Sequence, residues 1–327
     1  MRVVPSWSTR RKDLGLVSCF PCCYAGKADF LFKIVQSQQT TVNQPAQATE
    51  RHKVWLWFNL LSLDAPLVAI LWQALFAHCF EVRVTGAAFA ALAIAVWFIY
   101  VSDRLLDALR GDGDEAVPRH RFYQHNWSIL GLCATFGLGV LGWICARLDP
   151  RVLHNGFAML AAVLAYFAMV HMVPDAVRRF WPKELVVGVL FAMGTCLATW
   201  TRTSAPGGEM LLPALLFAAL CWLNCIAIEY WEWSRYGPAI DKTPHVLTLW
   251  IGRRLQWAAL AICVFAATLA PGPDTGLRPL FFAALLSAAA ILWLDHSRQR
   301  LSTEALRVLA DVSLLSPLLV LLLPIFR

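Results

Sequence analysis

Residues 210–228 read MLLPALLFAALCWLNCIAI, and they run directly into Glu229-Tyr-Trp-Glu232 and Arg235. The run contains nineteen residues without a formal charge, close to the ~20 that a helix needs to cross a bilayer, and it ends on two carboxylates three positions apart, hence on one helical face. An apolar run closed by an acidic pair and a basic residue is the unit from which the rest of the chain can be read.

Eight other segments resemble it: Val54 to Phe80, Thr85 to Val101, Trp127 to Ala146, Val152 to Val173, Leu185 to Trp200, Leu255 to Ala270, Leu277 to Leu294 and Ala305 to Pro324. Only a helix satisfies its own backbone in lipid without closing a barrel, so the expected fold is an all-α integral membrane bundle of about nine transmembrane helices over residues 51–327. Composition agrees. Of 327 residues 59% are hydrophobic and 15% charged, and the mean hydropathy is +0.57. Trp55, Trp57, Trp127, Trp200 and Trp293 stand near run ends, where amphipathic rings favour the headgroup layer. Residues 1–50 end in QSQQTTVNQPAQATE and read as a disordered tail. The Cys19, Cys22, Cys23 group has no companion ligand set, so incidental cysteines are the plainer reading beside metal binding or palmitoylation.

The net charge of +7 does not point to nucleic acid, because Lys and Arg lie in short connections between apolar runs. Connections after even-numbered segments carry Arg104, Arg110, Arg119 and Arg121, then Arg178, Arg179 and Lys183, then Arg235, Lys242, Arg253 and Arg254, then Arg298, Arg300 and Arg307. Those after odd-numbered segments carry far fewer. The positive-inside rule therefore places the even connections and the N-terminal tail in the cytoplasm.

Parity gathers three polar stretches at one membrane face. The first, YVSDRLLDALRGD, sets Asp103 and Asp107 at i and i+4; a divalent cation such as Mg²⁺, completed by phosphate and water, would relieve their repulsion, and neighbouring Arg104 and Arg110 offer the simpler neutralisation. The second places Arg178, Arg179 and Lys183 before a helix N-terminus, where anions are favoured, although basic topology signals would look the same. The third carries Asn224, Glu229, Glu232, Arg235, Asp241 and Lys242, with a Glu232–Arg235 pair as the bland alternative. Asp64 and Asp311 stand alone inside apolar segments as substrate or proton groups, or as helix-to-helix hydrogen bonds. The histidines show no HExxH or other ligand spacing, so no transition-metal site is assigned.

These features resemble the UbiA-type membrane prenyltransferase superfamily over about residues 51–327. Its first motif is NDxxDxxxD; DRLLD at Asp103 to Asp107 resembles the DxxxD half, whereas Ile99 and Tyr100 stand where the leading Asn-Asp would be. In its second motif aspartates precede a basic KST-type loop; Glu232 and Lys242-Thr243 resemble the end of that pattern, with Asn224 and Glu229 near the earlier positions. The resemblance implies Mg²⁺-dependent transfer of a prenyl group from its diphosphate to an aromatic or lipid acceptor in the bilayer. It implies Asp103, Asp107, Glu229 and Glu232 as metal ligands, and Asp103, Asp107 and Lys183 as catalytic groups. It implies Arg119, Arg121, Arg178, Arg179, Lys183, Lys242 and Asn224 as diphosphate contacts, and the rings of Tyr100, Tyr230 and Trp231 facing an allylic cation. The alternative is a non-catalytic or transport-type protein on the same bundle. CDP-alcohol phosphotransfer is disfavoured, since no DGxxAR segment followed by GxxxD and DxxxD is present.

Overall fold

A computed structural model describes residues 61–109, 122–123, 125–173, 181–203, 207–237, 244–272 and 275–323. The N-terminal tail with its cysteine group, and Arg119, Arg121, Arg178, Arg179 and Lys242, lie outside the described residues.

Every apolar segment carries a helix. In chain order these are α1 (Asp64–Cys79), α2 (Gly86–Leu109), α3 (Trp127–Cys145), α4 (Pro150–Met172), α5 (Lys183–Arg202), α6 (Gly207–Tyr236), α7 (Val246–Gly252), α8 (Leu255–Leu269), α9 (Arg278–Ser297), α10 (Thr303–Ser313) and α11 (Ser316–Leu322). Among the described residues seven spans are long and apolar enough to cross a bilayer, eight if α7 and α8 form one span across their 75° bend, and α1 is a shorter apolar helix beside them. The nine expected segments thus correspond to six continuous spans, the interrupted α10–α11 span, the bent α7–α8 pair and one short helix.

Two helices organise the bundle. α6 packs on α5, α7, α8, α9 and α10, and α1 on α2, α5, α9, α10 and α11. Small residues permit the closest approach: a β-carbon on Gly188 of α5 would fall 2.7 Å from the Trp222 amide nitrogen of α6, so only glycine lets these backbones meet. Between α1 and α6 the Trp72 and Phe217 rings stack with centroids 4.1 Å apart. By contrast, 56% of the α6 span is buried against protein, and only 11% of the α4 span. α3 and α4 form the lipid-facing flank, with Phe136, Trp143, Phe157 and Leu164 exposed.

The last span breaks between Ser313 and Ser316, where Pro317 opens α11 and has no amide N–H to give. In lipid the freed backbone groups need partners. Trp72 Nε1 donates to the Leu314 carbonyl (2.9 Å), Ser287 Oγ to the Ser313 carbonyl (2.7 Å) and Ser316 Oγ to the Ala283 carbonyl (2.8 Å). The break is held by α1 and α9. At two chain reversals a side chain caps the following helix: Asp149 accepts from the Arg151 amide (2.9 Å) with Pro150 in the first turn of α4, and Ser302 accepts from the Ala305 amide (3.2 Å).

Candidate functional site

The ends of α2, α4, α6 and α9 and the starts of α5 and α10 meet in one polar rim, as the alternation of polar connections requires. Asp103 Oδ1, in the last part of α2, lies 3.4 Å from His171 Nε2 in the last turn of α4. His171 is buried, Asp103 partly exposed, and Phe167 stacks on the imidazole with centroids 5.5 Å apart. Arg104 lies over the Tyr123 ring at 5.7 Å. Asp107 falls on the same helical face one turn further along α2.

Lys183 begins α5 and reaches Glu229 Oε1 of α6 at 3.2 Å and Glu184 Oε1 at 3.8 Å. Its charge also interacts with Asp103, which joins the two halves of the rim. Glu184 is buried in the first turn of α5, where the helix dipole disfavours a negative charge least, because the partial positive charge is at that end. Thr248 of α7 donates to its Oε2 at 2.9 Å. Glu232 pairs with Arg307 of α10 at 2.8 Å rather than with Arg235, whose guanidinium donates to Thr303 Oγ1 and the Arg298 carbonyl, each at 3.1 Å. Trp231 Nε1 donates to Asp295 Oδ1 (2.8 Å), and Arg298 pairs with that same carboxylate (3.3 Å).

The fold therefore assembles Asp103, Lys183, Glu229 and Glu232 at one end of the bundle, and it sets Asn224 deeper, donating to Asp311. Glu229 and Glu232 each hold a protein cation. No group of three His, Cys, Asp or Glu side chains is placed to hold a metal ion among the described residues. The Asp103–Asp107 face is a different case, because Mg²⁺ bound with a diphosphate takes most of its ligands from phosphate and water and needs only one or two carboxylates. Asp103 offers one such carboxylate at the rim, and Asp107 follows it one turn along α2.

Three members of the rim escaped sequence reading. His171 looked like an isolated histidine, Arg307 like a topology charge and Glu184 like part of a basic segment. An acidic residue at the first turn of an apolar run was the available signal for Glu184.

Beneath the rim lies an apolar cavity of about 290 Å³ between α2, α3, α4 and α5, with Gln73 of α1 in its wall. Tyr100, one turn before Asp103, and Tyr166, five residues before His171, line its upper part; Ala88, Leu148 and Val152 line the far part. Along α2 the lining from Ala88 to Tyr100 covers ~18 Å of helix axis, most of a hydrocarbon core.

Against known proteins, no family model and no curated sequence matches the chain. The apo structure of a UbiA homolog from Aeropyrum pernix K1 is similar to it with a TM-score of 0.52 at 15% identity, covering 80% of this chain and 99% of that one. At that identity the similarity is one of architecture. The chain is an integral, multi-pass membrane protein, and its fold is UbiA-type.

Proposed function

We propose that the protein transfers a prenyl group from a prenyl diphosphate to a hydrophobic acceptor within the bilayer, with Mg²⁺ as the metal. The observation that carries this reading is a charged rim standing directly over a long apolar cavity: a ligand with an anionic head and a hydrocarbon tail is complementary to both. Lys183 and the N-terminal end of α5 supply positive charge where a diphosphate would sit. Arg119, Arg121, Arg178, Arg179 and Lys242, which follow α2, α4 and α6 in the sequence, are assigned to the same anion. Asp103 and Asp107 would hold Mg²⁺, which when bound neutralises the diphosphate as a leaving group. His171 orients Asp103. The apolar walls below exclude water from a developing allylic cation, and the Tyr100 ring faces it with its π-electrons.

The experiment is pyrophosphate release from prenyl diphosphates by purified protein in detergent, with and without Mg²⁺. Release that requires Mg²⁺ is expected, and Asp103→Ala or Asp107→Ala should each lower it by roughly 10²-fold. Full activity in either variant rejects the assignment. One observation favours a second reading, a bundle that binds or carries lipids without cleaving them: Glu229 and Glu232 are closed by Lys183 and Arg307. That reading predicts solute flux into vesicles with no diphosphate consumed.

A further inference from the structure

The elbow between α7 and α8 turns one side into the bundle and the other away from it. Inward, Thr248 donates to Glu184 at the start of α5, and Gly252 meets the ring of Tyr230, the residue after Glu229. These contacts set the elbow level with the charged rim, at the membrane boundary. α7 lies at 75° to α8, so where α8 descends through the bilayer α7 runs close to the membrane plane. Outward, α7 presents Val246 and Trp250, one turn apart on one side, and the chain continues with Arg253, Arg254 and then Trp257 in the first turn of α8. Val246 is 78% exposed, Trp250 56% and Trp257 72%, and both arginines are exposed.

Tryptophan and arginine at a helix end are ordinary in a membrane protein. What sets this surface apart is that its charge has no answer inside the protein. Lys183, Arg298 and Arg307 each face a carboxylate, and Arg235 is held by Thr303 and the Arg298 carbonyl. Among the described residues no carboxylate lies within ion-pair distance of Arg253 or Arg254. The Arg254 guanidinium lies over the Trp250 ring, 4.9 Å from its centroid, and donates once, to the Trp250 carbonyl at 3.4 Å. The ring steadies the cation and leaves most of its N–H groups open.

Charge and depth select the occupant. Two adjacent guanidinium groups call for an anion, and their planar forks match phosphate oxygens. The exposed side chains of Val246, Trp250 and Trp257 call for an apolar body beside that anion, which a soluble phosphate lacks. A zwitterionic lipid carries its own cation next to the phosphate. A lipid of net negative charge meets both requirements and is already at this depth. None of these residues lines the apolar cavity, so the surface is separate from it.

We propose that the α7–α8 elbow binds a phospholipid of net negative charge, with its phosphate on Arg253 and Arg254 and its glycerol and upper chains against Trp250 and Trp257. The lipid is a bound component of the protein and neither donor nor acceptor of a prenyl group, so its binding is independent of the reading above. Through Thr248 and Gly252 it is joined to the helices that carry Glu184 and Glu229.

The test uses the full-length protein, stripped of lipid in a neutral detergent and offered phosphatidylglycerol and phosphatidylcholine with identical chains in equal amounts. Lipids that stay bound are counted by native mass spectrometry. Phosphatidylglycerol should be retained about ten-fold over phosphatidylcholine at low salt, and the preference should shrink as salt is raised. Arg253→Gln combined with Arg254→Gln should remove it. Arg300→Gln, which takes away another exposed arginine at the end of α9, should leave it in place, and so should Lys183→Gln in the rim. Excess glycerol phosphate, which has the headgroup charge without the chains, should not displace the lipid. Equal retention of the two lipids, a preference that survives the double substitution, an equal loss in Arg300→Gln, loss in Lys183→Gln, or displacement by glycerol phosphate overturns the site. A dimer that holds without lipid and dissociates in the double variant gives the surface to a second copy of the chain and overturns it as well. The salt series on the unaltered protein decides the electrostatic part without any variant.

Discussion

Gln73 is the sharpest departure from apolar logic at the level of single residues. It is 1% exposed in α1, its amide nitrogen has no hydrogen-bond partner, and it stands in the wall of the apolar cavity. Burying a donor without a partner costs about 1–3 kcal/mol, so Gln73→Leu should raise the unfolding temperature of the ligand-free protein in detergent. A fall would mean that the amide is satisfied. His171 supports a second expectation. Its ring is fixed by Phe167 and touches Asp103 only through the imidazole edge. His171→Phe, which keeps the stacking, should lower turnover by about ten-fold with little change in KM if orientation of Asp103 is its contribution. Residue pairs of this kind are the least legible part of the sequence. Asp103 and Glu232 could be singled out as carboxylates at helix ends, but His171 and Arg307, which meet them, come from distant helices, and for Glu232 local spacing favoured Arg235 instead. Asp64 of α1 and Asp311 of α10 looked isolated for the same reason: their contact is made by the closure of the bundle.

At the scale of helices, hydrophobic run length located every span, since burial of a continuous backbone in lipid leaves few alternatives. What it could not show were interruptions. The α10–α11 break lies inside one apolar run, and the serines and Trp72 that satisfy it belong to other helices. The α7–α8 bend is similar, because α7 is too short to register as a span and is fixed by the Tyr230 ring of α6 against Gly252. Any β-carbon at Gly252 would collide with that ring. Gly252→Ala should therefore destabilise the protein by about 1–3 kcal/mol, read as a lower unfolding temperature, and Gly188→Ala, which meets backbone rather than a movable side chain, by at least as much. If both variants melt like the parent, these helix contacts are looser than described.

For the molecule as a whole, the positive-inside count and the fold make one joint expectation. The charged rim, with Asp103, Lys183 and Arg307, should face the cytoplasm. A reporter enzyme that works only in the cytoplasm, fused after Tyr236, should be active, and the same reporter fused after Arg202 silent; the opposite result reverses the orientation. The site itself sits asymmetrically in the bundle, between the densely packed half around α6 and the flank of α3 and α4. That flank is one helix thick, and most of α4 has no protein behind it. A molecule already dissolved in the membrane is thus separated from the cavity by a single layer of helices, and water need never carry it. Its effective concentration is the amount per mole of lipid, so added detergent acts as a diluent: at fixed totals of protein and ligand, doubling the micelles should halve the occupancy of a weakly filled cavity.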